Sequence, residues 1–198
     1  MQKIISRKPR VIGLAGGKGS GKDSVADYLV DKYDFHKISY AGPVKEILAM
    51  TFGVPLEWFY DQEEKESPKK ELFGHTPRYL MQTFGTDWGR DMVNPSIWVS
   101  IAKEKARKLH KEGKDVVISD VRYIEEAEVV SELGGLVWRI RRQQDAVATH
   151  SSEMGIPEDL VYDTICNFGS FNVLYAQVGV ALARYDRYTN RPDYGKAF

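Results

Sequence analysis

The sequence predicts an α/β fold: a five-stranded parallel sheet covered by helices on both faces. Short apolar runs alternate with stretches whose apolar residues recur at helical spacing, the mark of strand–helix–strand units. The first of these runs, Val11–Ala15, is continuously apolar, as a strand buried on both faces is. A length of 198 residues, with 42% hydrophobic and 28% charged residues, suits one domain able to bury roughly 70% of its unfolded surface.

The first strand is Val11–Ala15. A glycine cluster follows, then a helix over Lys22–Tyr33 with Val25, Ala26, Leu29, Val30 and Tyr33 on one face. Phe35–Ser39 reads as the second strand and Asp115–Ser119 as the third. A helix over Tyr123–Leu133 turns Ile124, Ala127, Val130 and Leu133 inward and Glu125, Glu126, Glu128 and Glu132 to water. Gly134-Gly135 ends it in a left-handed cap. Leu136–Ile140 and Thr164–Asn167 are the fourth and fifth strands, and a last helix, Phe171–Tyr185, carries Leu174, Val178, Ala181, Leu182 and Tyr185 on one stripe. Residues 40–114 are far longer than one crossover helix, and such an insertion usually carries function. Within it the spacing predicts helices at Pro43–Phe52, Pro77–Phe84 and Pro95–His110, with Asp61–Glu71 as an exposed, mobile connection. Gln143–Leu160 is a second irregular stretch. The expected organisation is therefore a single domain, 1–198, with a core at 10–39 and 115–198 interrupted by the insertion.

Charge and cysteine usage exclude whole classes of function. The 28 basic and 28 acidic side chains cancel, which removes the footprint of a nucleic-acid-polymer binder and of a polybasic membrane-surface protein. One cysteine, Cys166, forms neither an intrachain disulfide nor a cysteine-rich zinc site, and suits a reducing compartment. Residues 1–10 carry Lys3, Arg7, Lys8 and Arg10 without a signal-peptide run, and no stretch approaches the roughly 20 apolar residues of a membrane helix. The expectation is a soluble, cytoplasmic chain, with the assembly state, homodimer included, left open.

The strongest motif is Gly16-Gly17-Lys18-Gly19-Ser20-Gly21-Lys22, a match to G-x-x-x-x-G-K between a strand and a helix. Backbone N–H groups of such a loop converge on phosphate oxygens, the following helix presents its positive N-terminus, and Lys22 reaches the β- and γ-phosphates. A chain of this length would show about 0.06 accidental matches. Asp23, followed by Ser24, stands where Ser or Thr normally ligates Mg²⁺. Its carboxylate either holds Mg²⁺, directly or through water, or favours the helix N-terminus by its charge. Asp120, at the carboxyl end of the third strand, is the candidate second acid for a nucleotide-bound Mg²⁺, the alternative being an N-cap for the next helix. Arg122 shares that rim.

Transfer between phosphates requires several cations, for which the guanidinium fork is suited. Arg78 and Arg90 flank a mixed polar and apolar stretch in the insertion, while Arg139, Arg141 and Arg142 cluster before the second irregular stretch, where His150-Ser-Ser-Glu153 lies. The bland reading of each arginine is a solvated surface charge. No G-x-S-x-G elbow supports a hydrolytic site. Cys166 reads as a small buried hydrophobe, and Trp88 and Trp98 as core or pocket wall.

Together these residues resemble the bacteriophage-type deoxynucleoside monophosphate kinases. The resemblance runs from about Val11 to Asn172. It rests on Gly19–Ser24, whose Asp23 after the lysine is shared with phosphomevalonate kinases, and on Arg78-Tyr-Leu-Met-Gln-Thr-Phe-Gly-Thr-Asp-Trp-Gly-Arg90 with Trp98. Val117–Arg122 with Glu125 and Glu126, Gly134-Gly135, His150–Glu153 and Asn167-Phe-Gly169 extend it. The resemblance implies a P-loop kinase fold, a three-layer sandwich with a monophosphate-binding insertion and a lid at about 141–160. It implies ATP and Mg²⁺ as donor and cofactor, and a deoxynucleoside monophosphate as acceptor, in host cytoplasm if phage-encoded. By position, Lys22 and the Gly16–Gly21 backbone hold donor phosphates, Asp23 or Asp120 organises Mg²⁺, and Arg78 and Arg90 bind the acceptor phosphate. Gln82, Asp87 and Trp98 are candidates for its base or sugar, and Arg141 and Arg142 close from the lid; His150 and Glu153 match the pattern without an assigned role. The alternatives are a kinase of another phosphorylated acceptor, of phosphomevalonate or dephospho-coenzyme A type, and a P-loop ATPase or switch. The neutral total also conceals an uneven distribution: arginines gather in the insertion and lid, acids in the glutamate-rich helix and Asp61–Glu71, so a local positive cleft can attract nucleotides.

Overall fold

The computed structural model describes residues 8–142, 156–191 and 194. They form two compact units, one from the residues up to Ile38 and from Lys105 onward, the other Ser39–Glu104. The strands are β1 (Val11–Ala15), β2 (His36–Ile38), β3 (Val116–Val121), β4 (Leu136–Arg142) and β5 (Asp163–Asn167). The helices are α1 (Lys22–Tyr33), α2 (Gly42–Phe52), α3 (Gln62–Glu66), α4 (Pro77–Gln82), α5 (Ile97–Lys111), α6 (Ile124–Glu132) and α7 (Phe171–Thr189).

In the first unit all five predicted strands are present and pair in parallel in the order β2-β3-β1-β4-β5. Every residue of β1 is buried, as the middle strand of a doubly covered sheet requires. On one face Ile12, Leu14, Val117, Leu136, Trp138, Ile140 and Ile165 pack with Val25, Ala26 and Leu29 of α1 and Leu174, Val178 and Ala181 of α7. On the other face Val130 of α6 lies over Gly13. The result is the three-layer α/β arrangement read from the sequence. The buried stripe of α7 also agrees with its spacing.

Tyr185 ties α7 to the start of β1. Its hydroxyl accepts the Val11 N–H at 3.1 Å and lies within reach of the Val11 and Gly134 carbonyls. Burial, against the opposing hydrogen bond to Val11, pushes the hydroxyl well above the ordinary tyrosine range. Because the folded pKa is raised, this contribution to stability is intact below about pH 10 and lost as pH climbs towards the folded value. Tyr185→Phe leaves the Val11 N–H without its partner and is expected to cost about 1–2 kcal/mol in urea unfolding, with little effect on nucleotide binding.

The structure corrects the reading of α6. Ile124, expected inside, is 49% exposed, while Glu126, expected in water, is 2% exposed. The reason is local: the Glu126 carboxylate accepts the N–H groups of Arg122 (2.7 Å) and Tyr123 (3.1 Å), which a helix start leaves without intrahelical acceptors. Ala127, Val129 and Val130 then form the buried face.

The second unit has its own core of Val44, Leu48, Ala49, Val54, Phe59, Leu72 and Trp98. Asp61–Glu71, expected as an exposed, mobile connection, is mostly exposed but largely helical. Asp61 caps α3 by accepting from Glu63 and Glu64, a 3₁₀ turn follows at Lys70–Leu72, and Leu72 is fully buried. The N–H bonds from Glu64 and Glu63 hold the Asp61 carboxyl below its ordinary range. The predicted Pro77–Phe84 helix ends at Gln82 and continues as a π-helix over Thr83–Val93. Trp98 sets this path: its indole N–H donates to the Gly85 carbonyl at 2.6 Å, and Gly89 lies so close to the ring that a Cβ there would sit 2.6 Å from it.

Candidate active site

The glycine loop leaves the end of β1 and enters α1 through Gly21, which is the N-cap and makes no side-chain capping bond. Gly16 has φ 143° and Gly21 has φ 102°, conformations that L side chains rarely adopt. Ser20 is buried, Lys18 and Gly19 are exposed, and Ser24 is half-buried in the first turn of α1. The Lys22 ammonium folds back over the loop and donates to the carbonyls of Gly16 at 2.6 Å and Gly17 at 2.7 Å. It also lies 3.5 Å from Ser20 Oγ. A cation is thus stationed above a loop of backbone amides at a helix N-terminus, which is the chemistry of polyphosphate binding.

Asp23 stands in the first turn of α1; its Oδ1 lies 3.1 Å from Lys37 Nζ, which also bonds Asp27 at 2.9 Å. Burial works against the Lys37 charge, yet Asp27 and Asp23 outweigh it and hold the ammonium above the ordinary lysine range. Asp120 lies inside β3, and the N-cap of α6 is Tyr123, so the capping alternative for Asp120 is overturned. Register pairs Val121 with Ala15, the residue before the loop, which brings Asp120 to the same carboxyl end of the sheet. Arg122, on that rim, is exposed.

Asp23 and Asp120 are hard oxygen donors, as Mg²⁺ requires. Among the described residues no group of three or more His, Cys, Asp or Glu gathers to hold a metal. This donor set suits an ion carried in on phosphates, for which one or two carboxylates suffice.

At the end of β4, Arg142 Nη1 donates to the Gly19 carbonyl at 3.1 Å, and Arg141 is exposed with Nη2 3.5 Å from Glu158. Arg139 is different: it is 8% exposed and bonded to Glu158 and to the Ile156 carbonyl, so it anchors the chain entering β5. Asn167, at the end of β5, donates to the Ser20 carbonyl at 2.9 Å. The sequence does not show this contact, which joins residues 147 positions apart, although a polar residue closing a strand, as at Asp120, marks Asn167; Lys37, inside β2, carries no such mark. Cys166, expected as a buried hydrophobe, is partly exposed, with its backbone bonded to Gln177. His150 and Glu153, and most of the expected lid, lie outside the described residues.

The second unit holds Arg78, Gln82, Asp87, Arg90 and Trp98. Arg78 and Gln82 stand at i and i+4 on α4, hence on one face, and Arg78 pairs with Glu66 of α3. Arg90 is half-buried in the π-helix and Asp87 is exposed on it. Helices of this kind are rare and concentrate at functional sites. Trp98 is 4% exposed with its N–H spent on Gly85, which leaves no polar atom for a base. Trp88, stacked on Phe84 at 4.6 Å, is the exposed ring of this cluster.

Residues 56–178 match the family model described as deoxynucleotide monophosphate kinase. The chain belongs to this family. The match begins after the phosphate loop and spans Arg78, Arg90, Asp120 and Asn167, so loop motif and family model are separate observations. A protein of Acanthamoeba polyphaga mimivirus, named a deoxynucleotide monophosphate kinase, is 37% identical over 180 residues, covering 85% of this chain and 93% of the viral one. The deoxynucleoside-5'-monophosphate kinase of Escherichia phage T5 is 25% identical over 237 aligned positions, covering 85% and 94%. Among solved structures, a dephospho-CoA kinase from Campylobacter jejuni superposes with a TM-score of 0.50 at 15% identity, covering 91% of this chain and 99% of that one. That likeness speaks for the fold alone. No helix of the described residues is long and apolar enough to cross a membrane.

Proposed function

We propose that this member of the deoxynucleotide monophosphate kinase family transfers the γ-phosphoryl group of ATP to the phosphate of a deoxynucleoside monophosphate, giving ADP and the diphosphate. The observation that carries the reading is Lys22, seated over the phosphate loop at the head of α1. The loop amides hold the donor phosphates, and Lys22 exchanges the Gly16 and Gly17 carbonyls for β- and γ-phosphate oxygens. An acceptor phosphate oxygen attacks the γ-phosphorus as its bond to the β-bridging oxygen breaks. Lys22, Arg141 and Arg142 stabilise the charge that spreads during transfer. Asp23 and Asp120 would hold Mg²⁺, which when bound neutralises charge on the donor phosphates. Arg78 and Arg90 hold the acceptor phosphate, and Gln82, Asp87 and Arg122 contact the rest of the acceptor. Phosphate-to-phosphate transfer needs no general base, so His150 and Glu153 are given none of that work.

The direct test follows labelled ATP with a panel of acceptors: the four deoxynucleoside monophosphates, their ribose counterparts, phosphomevalonate and dephospho-coenzyme A. Label is expected in deoxynucleoside diphosphates. Label appearing only in another acceptor, or acceptor-independent ADP release, would displace the proposal. Arg78 allows a sharper check. Because Glu66 competes for its guanidinium, Arg78→Ala is expected to raise the acceptor KM about tenfold or more, and Glu66→Gln to lower it. The KM for ATP should stay near its wild-type value in both. An acceptor KM untouched by Arg78→Ala would remove Arg78 from the acceptor site.

A further inference from the structure

Asn167 and Arg142 are register partners at the carboxyl ends of β5 and β4. Arg142 donates to the Gly19 carbonyl and Asn167 to the next one, Ser20. Two neighbouring strands therefore grip two consecutive carbonyls of the phosphate loop. The strand behind Asn167 is itself locked. Gln177 of α7 accepts the Cys166 N–H at 3.0 Å and donates to the Cys166 carbonyl at 2.8 Å. Asn167 is thus delivered to the loop from a clamped backbone.

The Ser20 carbonyl shares a peptide plane with the Gly21 N–H. In a trans peptide the two point in opposite directions, so fixing one fixes the other. Gly21 is the N-cap of α1, where the helix dipole adds to the pull of its amides on an anion. The contact is close: a Cβ on Gly21 would lie 2.5 Å from Asn167 Nδ2. The glycine therefore serves the approach of Asn167 as well as its own φ of 102°.

We propose that Asn167 is a positioning residue for the donor nucleotide, acting through the Ser20–Gly21 peptide to aim the Gly21 amide at the phosphates. It touches no reacting atom. The inference deepens the kinase reading and rests on it. It separates from a role in merely closing the end of β5, because a closing role gives no reason for donor and acceptor to respond differently.

The experiment measures ADP binding by titration calorimetry, together with both KM values, for the wild type, Asn167→Ala and Asn167→Asp. Asn167→Ala is expected to weaken ADP binding and raise the ATP KM by about tenfold, with the acceptor KM unchanged. Asn167→Asp keeps the shape but turns an acceptor towards the Ser20 carbonyl, and should lose more. It also keeps the test alive if the alanine variant folds poorly. Unaltered ADP affinity in both variants, or a parallel rise of both KM values, overturns the proposal. A wild type that binds ADP yet transfers phosphate to no deoxynucleotide sinks the kinase reading alone, since the ADP affinity ratio still judges Asn167. A wild type that binds no ADP overturns both.

Discussion

Replacing Lys22 by alanine is expected to lower phosphoryl transfer by two or more orders of magnitude while the chain stays folded. Lys22 is only 9% exposed, and its ammonium donates to carbonyls of the loop itself, at 2.6 and 2.7 Å. Its removal frees two carbonyls that belong to half-buried loop residues within reach of water, a cost of about 1–2 kcal/mol. The catalytic loss is larger because the lysine faces charge that is greatest in the transition state. A parallel thermal melt and single-turnover assay read the two effects separately. Transfer at near wild-type rate in Lys22→Ala would take the lysine out of the mechanism; a collapsed melting transition would make it a folding residue instead.

The contrast between Lys22 and the residues around it shows what a sequence carries and what it does not. Lys22 lies in a seven-residue motif, and α1 spans Lys22–Tyr33 as its periodicity predicts, because strand, turn and helix there are decided by neighbours in sequence. Strand β1 was legible for the same reason: a continuous apolar run in a doubly covered sheet has no alternative face to show. Glu126 was misread because its charge argues for water, while two orphan amides at its own helix start argue for burial, and the amides win. The π-helix was out of reach of any periodicity. Its path follows from Trp98 taking the Gly85 carbonyl and from Gly89 yielding space to the same ring, which is tertiary packing. In the site, Asp120 was readable as a polar end to an apolar strand. Asn167 closes β5 in the same way, but its partner Ser20 is fixed only by the order of the strands, and the Lys37–Asp23 pair only by the packing of α1 on β2.

Strand order also explains why two glycines of one loop should respond unequally to the same substitution. Gly16 follows β1 directly, with φ 143°, and a Cβ there would lie 2.3 Å from the Ile140 carbonyl oxygen and 2.8 Å from Ser20 Oγ. Ile140 belongs to β4, a paired interior strand whose backbone has no room to retreat. Gly16→Ala must therefore move the loop, and with it the carbonyl that holds Lys22. The expected cost is about 2 kcal/mol or more in urea unfolding, with a loss of transfer of about a hundredfold from displaced phosphate-binding amides. Gly19 also has a positive φ, 75°, but a Cβ there meets nothing within 4 Å. Gly19→Ala bears only the conformational penalty, about 1 kcal/mol, and should retain transfer within a few-fold of wild type. The difference between the two variants isolates the contact with β4 from the general need for glycine. Equal losses in both would mean that loop conformation alone, and not its seating against Ile140, governs the site.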